Sequence, residues 1–350
     1  MLAVLLASSR AAFAQWAAVP LHPGATFEVS GVYAVTPTEQ FGQSSSGGLL
    51  PTGWRGGASS VFTLSSGGGG TVLGAWQDRQ VGDHAGRASL WRGTPESRVD
   101  LHQPGWSTSK ANAAWGDEQV GIYYPLPNNF QPRAVMWHSS AESWVSLHPA
   151  GAVSSGLSSV WNGQQGGGVS YPGNAQLAAI WSGTASSVVN LHPGSQFRSS
   201  YVTGMAEGHQ VGYAGRIGQP DHAAMWHGTA KSYTDLNPSI AGLSTLYGTC
   251  GTAQVGYANT NLYGITAGIW FGTAESFTAL SPFLPSGYGQ SIATSVATDG
   301  ARFYVGGYAR NLMTNRDEAF LWIGVPAPGS AWMLGALGIL AAKRKRSLPR

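Results

Sequence analysis

Residues 181–193 read WSGTASSVVNLHP, and altered copies of this stretch return along the whole chain. They run as WRGGASSVFTLSS from Trp54, WRGTPESRVDLHQP from Trp91 and WHSSAESWVSLHP from Trp137. WHGTAKSYTDLNP follows from Trp226 and WFGTAESFTALSP from Trp270. With Trp322, the leading tryptophans are spaced 37, 46, 44, 45, 44 and 52 residues apart. A repeat of this length is one supersecondary unit, too small to bury its own apolar face without neighbours.

Two further landmarks precede each tryptophan. The nearer reads Gln40-Phe41-Gly42, Gln80-Val81-Gly82, Gln119-Val120-Gly121, Gln165-Gly166-Gly167, Gln210-Val211-Gly212 and Gln254-Val255-Gly256, with Tyr304-Val305-Gly306 in the last unit. The other stands four residues earlier, at Thr36, Trp76, Trp115, Trp161, Ala206 and Cys250. Triplets such as Gln77-Asp78-Arg79 and Gly116-Asp117-Glu118 lie between the two and suit a tight hairpin. Short β-branched and aromatic runs bounded by Gly, Pro, Ser and Asn are the signature of strands and turns. The 50 glycines among 350 residues and the 10% charged content agree with that.

Each unit therefore reads as four strands. One ends at the earlier landmark, one carries Q-V-G-Y, one ends A-x-(L/M/I)-W, and one runs S-x-V-x-L-H-P. Seven such units predict an all-β fold, a seven-bladed β-propeller of four-stranded blades. The last unit stops at Leu321-Trp322 without its L-H-P strand, whereas Val19-Pro20-Leu21-His22-Pro23 stands alone before the first unit. The N-terminal strand is thus expected to close the last blade and hide the sheet edges an open array would expose.

The unit also resembles the HAF family of bacterial extracellular repeats, roughly Q-V-V-G-Y…H-A-F-L-W…G…D-L-G. It is matched by Gln210-Val211-Gly212-Tyr213, His222-Ala223-Ala224-Met225-Trp226 and Asp235-Leu236, and again by Glu318-Ala319-Phe320-Leu321-Trp322. The chain departs from that family in having L-H-P where L-G is usual. The resemblance covers residues 19–324, implies an exported β-repeat protein, and transfers no catalytic residue.

The ends read as addresses. Residues 2–7 are apolar, and Ala12-Phe13-Ala14 before Gln15 fits a cleavage site. Near the other end, Val325-Pro326-Ala327-Pro328-Gly329 precedes the apolar run 331–342 and the basic group Lys343-Arg344-Lys345-Arg346. This order resembles the PEP-CTERM sorting tail, with Ala327 where that family has Glu. Such tails imply export, transient anchoring in the inner membrane and delivery to the cell surface or its matrix. The basic end would stay cytoplasmic. The expected organisation is a signal segment over 1–14, the propeller over 15–324 and a sorting tail with a short membrane helix over 325–350.

The formal charge of +3 comes from these ends. Removing the six basic residues at Arg10, Lys343, Arg344, Lys345, Arg346 and Arg350 from nineteen leaves 13 against 16 acidic ones, about −3 for the body. No basic stripe remains for nucleic acid. Cys250 is the only cysteine, so no intrachain disulfide forms.

Repeated Trp residues at an interior strand position point to packing between blades rather than to sugar-stacking platforms. Cys250 shares its position with Trp76, Trp115, Trp161 and Ala206, which makes it a core residue and not a nucleophile. His22, His102, His148 and His192 occupy one repeat position, which Asn237 and Ser281 fill later. A metal-binding arc of imidazoles there would need bonds of ~2.0–2.1 Å, whereas outer strands of different blades stand far apart. A hydrogen-bonding turn role is the favoured reading.

Binding is expected in the unlike loops between the second and third strands, because rigid scaffolds carry function on such loops. Their candidates are Tyr123, Tyr124, Asn128 and Asn129; Tyr171; Arg216, Asp221 and His222; and Asn259, Asn261 and Tyr263. No metal loop, HExxH, GxSxG or P-loop is present, so no catalytic residue, metal or cofactor is assigned. The sequence favours an exported, surface- or matrix-associated propeller with a binding or structural role, its partner a polysaccharide or surface protein. The alternative is a hydrolase or lyase acting on polysaccharide at the central channel mouth, which requires acidic or histidine side chains converging there.

Overall fold

The computed structural model describes residues 15–65, 67–127, 130–173 and 175–325. The expected signal segment, nearly all of the sorting tail, and Asn128 and Asn129 lie outside them. Among the described residues, no helix is long and apolar enough to cross a membrane.

The chain forms seven four-stranded antiparallel sheets, the blades of a propeller. The innermost strands of blades 1 to 7 are Val29–Val35, Gly70–Trp76, Trp106–Trp115, Ser154–Trp161, Phe197–Ala206, Ala241–Thr249 and Tyr288–Thr298. Blade 5 shows the pattern: Phe197–Ala206, His209–Arg216, Asp221–Trp226 and Thr234–Asp235, from the axis outward. The two-residue turn Glu207-Gly208 has φ of 50° and 80°, the mirror-image turn that suits a twisted hairpin.

Trp54, Trp91, Trp137, Trp181, Trp226, Trp270 and Trp322 are fully buried. Trp226 packs with Phe197, Val202 and Met205 of its own blade and with Ala178, Ile180 and Leu191 of the blade before. At ~25 cal/mol per Å² and ~150–250 Å² per ring, such burial contributes up to about 4–6 kcal/mol per site.

The fourth strand is shorter than its sequence pattern implies. In blades 1 to 6 the chain enters a 3-10 turn after the tryptophan, and only two residues, such as Thr234–Asp235, then pair. The repeat motif explains the diversion. In blade 5 the His227 amide donates to Ser232 Oγ at 2.7 Å, and the Gly228 amide donates to Gln210 Oε1 at 2.7 Å. The same two bonds recur in blades 1 to 4 and 6.

Blade 7 is completed by Gln15–Pro20, which pairs with Arg316–Val325 from Gln15↔Val325 to Pro20↔Phe320. The Leu21 amide then donates to Ala319 O at 2.8 Å, as Leu101 does to Ala88 O within blade 2. The ring is closed as the sequence predicts. The last repeat shifts by one residue, however. Val305 pairs with Trp322 as Gln210 pairs with Trp226, so Val305-Gly306-Gly307-Tyr308 is the true counterpart of Q-V-G-Y. In blade 7 the strand runs on past Trp322 to Val325, where the other blades enter their 3-10 turn, and an apolar Val replaces the Gln that holds that turn elsewhere.

Candidate functional site

Every inner strand carries a β-bulge at the same place, after Val32, Val72, Ala111, Leu157, Val202, Leu246 and Ala293. The bulge drives the chain towards the second strand. That is why the repeated glycine is needed: a Cβ on Gly212 would collide with the Tyr201 carbonyl oxygen, and one on Gly42 with that of Gly31. The bulged residues are Tyr33, Leu73, Asn112, Ser158, Thr203, Tyr247 and Thr294. Four of them reach the next blade. Asn112 Nδ2 donates to Leu157 O at 2.7 Å, Ser158 Oγ to Val202 O, Thr203 Oγ1 to Leu246 O at 2.7 Å and Thr294 Oγ1 to Val32 O at 2.6 Å.

These strands enclose a central channel of about 520 Å³. Each contributes residues around its bulge, among them Tyr33, Asn112, Ser158, Thr203, Tyr247 and Thr294, with Tyr308 from a second strand. Burial, reinforced by Tyr308, pushes the Tyr33 hydroxyl up to about 12. Burial and the neighbouring Tyr257, Tyr308 and Tyr213 push Tyr247 up as well. The channel thus offers neutral phenols, amides and hydroxyls. No carboxylate or imidazole is among the residues that line it. The pair of carboxylates that glycoside hydrolysis ordinarily uses is not part of that lining.

The L-H-P histidines hold blades together. Ser200, on the inner strand of blade 5, accepts from the Ala178 amide of blade 4 at 2.9 Å. Its own hydrogen goes to His192 Nδ1 at 2.8 Å, and His192 Nε2 donates to Phe197 O at 3.2 Å. The same relay joins Ala88, Ser109 and His102, then Ala134, Ser155 and His148, then Ala319, Ser30 and His22. Asn237 and Ser281 take the histidine's part beside Ser244 and Ser291. Burial lowers the pKa of His22, His102, His148 and His192, consistent with a neutral ring accepting at Nδ1. The serines went unnoticed in the sequence. Their signal is a Ser recurring 7, 8 or 10 residues after the L-H-P position.

The relay is missing at one interface only. Between blades 1 and 2, Pro51 stands where Ala88 donates its amide, Gly70 where the serine stands and Ser65 where the histidine stands. Pro has no amide hydrogen to place, and all three positions have changed together.

The loop candidates distribute as follows. Tyr123 is buried and stacked on Trp106 at 4.3 Å. Tyr124 accepts a hydrogen bond from Ser107 Oγ through its carbonyl at 3.2 Å, and Tyr171 packs against the core between blades 3 and 4. Arg216 lies over the Phe197 ring at 4.5 Å. Asp221 pairs with Arg198, and His222 Nδ1 lies 2.9 Å from Asp235 Oδ2. Asn259, Asn261 and Tyr263 are exposed on blade 6. The face carries another feature that sequence reading passed over. Exposed apolar side chains stand in or at the ends of these loops: Leu49, Phe130, Ile217, Leu262 and Met313, from five different blades. Phe130 is 85% and Met313 92% exposed.

At the opposite mouth, the earlier landmark of the repeat forms a ring of positions. Trp76, Trp115 and Trp161 hold it in blades 2 to 4, and Thr36, Ala206, Cys250 and Ala297 in the others. Burial raises the Cys250 thiol pKa, against a role as nucleophile. Among the described residues, no three His, Cys, Asp or Glu side chains are grouped so as to hold a metal.

No family model matches this sequence, and no curated protein matches it. Solved structures match in shape. A puromycin hydrolase superposes with a TM-score of 0.55 at 9% identity, covering 83% of this chain and 53% of its own. The β-propeller domain of the Trilobed protease from Pyrococcus furiosus, described as having an open velcro topology, gives 0.51 at 8%, covering 85% and 96%. YCF48 bound to D1 peptide gives 0.53 at 7%, covering 89% and 96%. The chain spans about half the length of the hydrolase. At these identities the similarity is one of fold, and the fold is that of a seven-bladed β-propeller.

Proposed function

We propose that the chain is an exported, cell-surface or matrix-associated binding propeller that engages an extracellular polysaccharide or surface protein through the loops between its second and third strands. The observation that carries the binding role is the set of exposed apolar side chains, Leu49, Phe130, Ile217, Leu262 and Met313, all on one face. Together with the variable loops that carry them, these side chains give one face apolar contact points that a partner spanning several blades would cover. Export rests on the signal-like start, the sorting-like tail and the resemblance to extracellular repeats. YCF48, a propeller of similar fold, is seen bound to a peptide, which supports a recognition role. The hydrolase reading is the weaker one, since the channel lining provides no carboxylate or imidazole.

Export is tested by fractionating cells that express the full chain and locating it by antibody. Binding is tested with the triple variant Phe130→Ser, Leu262→Ser, Met313→Ser. A surface extract or glycan array captured by the parent should lose at least tenfold in signal with this variant, at unchanged melting temperature. A parent that captures nothing, or a folded variant that captures equally well, defeats the reading.

A further inference from the structure

The channel mouth opposite the loop face has a built aromatic wall. Trp76 and Trp115 lie with ring centroids 6.0 Å apart and tilted by 50°, and Trp115 and Trp161 lie 6.3 Å apart and tilted by 54°. The three rings form a continuous arc over three successive blades. They are half-buried, while the seven repeat tryptophans of the third strands are fully buried. One scaffold has thus sorted the same residue type into two environments. Each arc residue follows directly on a channel-lining one, Ala75, Ala114 or Val160. Each arc ring packs on one side against the core between its own blade and the next, remains partly exposed, and stands on a rim whose other positions are small.

The polar groups beside the arc are in hydrogen-bonding positions. Trp115 pairs across its hairpin with Glu118, and Trp161 with Gln164. Gln165 Nε2 donates to Glu118 Oε2 at 3.2 Å, and Gln210 Nε2 to Gln164 Oε1 at 3.1 Å. The Arg79 guanidinium stands 5.9 Å from the Trp76 ring. Further in, the channel supplies hydroxyls, amides and raised-pKa phenols without a formal charge among its lining residues.

We propose that this mouth is a binding site for a neutral oligosaccharide, its sugar rings stacked on Trp76, Trp115 and Trp161 and its hydroxyls directed to Glu118, Gln164 and the channel. Flat apolar faces edged with hydroxyls match an aromatic wall edged with amides and a carboxylate. A concave site with a few convergent polar groups is the usual form of a small-ligand site. Nucleic acid is disfavoured by the negative body. A peptide would bring charged termini and side chains into a channel whose lining offers none in return. The site is distinct from the loop face and lies at the other end of the axis, so it goes beyond the reading above while sharing its premise of a binding role.

The test uses the full chain, with tryptophan fluorescence and calorimetric titration of cellohexaose, maltohexaose and chitohexaose. At least one should bind and perturb the fluorescence. Trp115→Ala should weaken that binding tenfold or more. Trp115→Phe should recover part of it, and Trp144→Ala, on the outer part of blade 3, should leave it unchanged. Melting curves confirm that each variant is folded. The proposal is overturned if none of the three oligosaccharides binds at millimolar concentration, if folded Trp115→Ala binds equally well, or if the arc selects peptides from a library instead. The triple loop variant separates the two sites. Its oligosaccharide binding should match the parent, and a loss there with Trp115→Ala unaffected would overturn this proposal while leaving the loop-face reading intact.

Discussion

Replacing Ser200 with Ala removes the centre of one blade-to-blade relay. The hydroxyl accepts from the Ala178 amide at 2.9 Å and donates to His192 Nδ1 at 2.8 Å. Ser200 and Ala178 are fully buried, so water does not replace the lost oxygen. An unpaired buried amide costs about 1–3 kcal/mol and a lost neutral hydrogen bond about 0.5–1.5 kcal/mol, which together give roughly 2–4 kcal/mol. Urea unfolding followed by tryptophan fluorescence measures it, with the exposed Ser186→Ala as control, expected within about 0.5 kcal/mol of the parent. The histidine adds a pH dependence. Burial holds His192 below its ordinary value, so its contribution is complete above about pH 6.5 and fades as pH falls from there through the folded-state value. His192→Asn imitates Asn237, whose Oδ1 accepts from Ser244 at 2.6 Å. That variant should retain most of the stability at pH 7.5 and lose less than the parent on going to pH 5.5. If Ser200→Ala costs no more than Ser186→Ala, or if His192→Asn shows the parent's full acid loss, the relay is not what joins these blades.

Two further outcomes test the scaffold. Gly212→Ala places a Cβ against the Tyr201 carbonyl and the Thr203 amide nitrogen, and with only backbone there to give way it should destabilise by more than about 3 kcal/mol, read from the same urea curves; a neutral result would mean that the bulge relaxes freely. Deleting residues 15–24 uncovers the blade 7 edge and removes Trp16 and Leu21, which are 8% and 0% exposed. At about 1.5–3 kcal/mol for each apolar side chain, plus six paired residues, the loss should approach the 5–15 kcal/mol that holds a domain together; calorimetric melting within about 3 °C of the parent would refute closure by that strand.

What was legible in the sequence was whatever repeats. The Trp spacing, the Q-V-G-Y run and the orphan L-H-P segment at residues 21–23 sufficed for blade number, strand number and ring closure. They work because each reports a constraint met in nearly every blade: an inter-blade ring, a bulge that demands glycine, an outer strand's end. The errors lie where the repeat loses a constraint. In the last unit Tyr304-Val305-Gly306 imitates the repeat one residue early, because Val305 replaces the Gln that elsewhere ties down a 3-10 turn. The fourth strand read as long because its alternation is real, while side chains of Ser232 and Gln210 that divert the chain are visible only in three dimensions. Tyr123 resembled a loop residue by position, yet Trp106 opposite it supplies a stacking partner no local pattern reveals.

Departures from symmetry separate two kinds of position in this ring. At the blade 1–2 interface, Pro51, Gly70 and Ser65 change together and abolish the relay without leaving a donor stranded. Coordinated loss of that kind is structural: each change removes the need for the next. The rim position behaves differently. Trp76, Trp115 and Trp161 share one face of the mouth, while Thr36, Ala206, Cys250 and Ala297 occupy equivalent backbone positions without any ring. Four blades therefore fold at that position with a small side chain. Trp76, Trp115 and Trp161 each pack against the core between two blades, but the sister blades close with small side chains, so packing does not by itself require tryptophan and the exposed part of three adjoining rings leaves room for a cause outside the blade. A ligand lying against the arc is such a cause, and substituting Trp115 tests it at a position where the fold tolerates small residues in its sister blades.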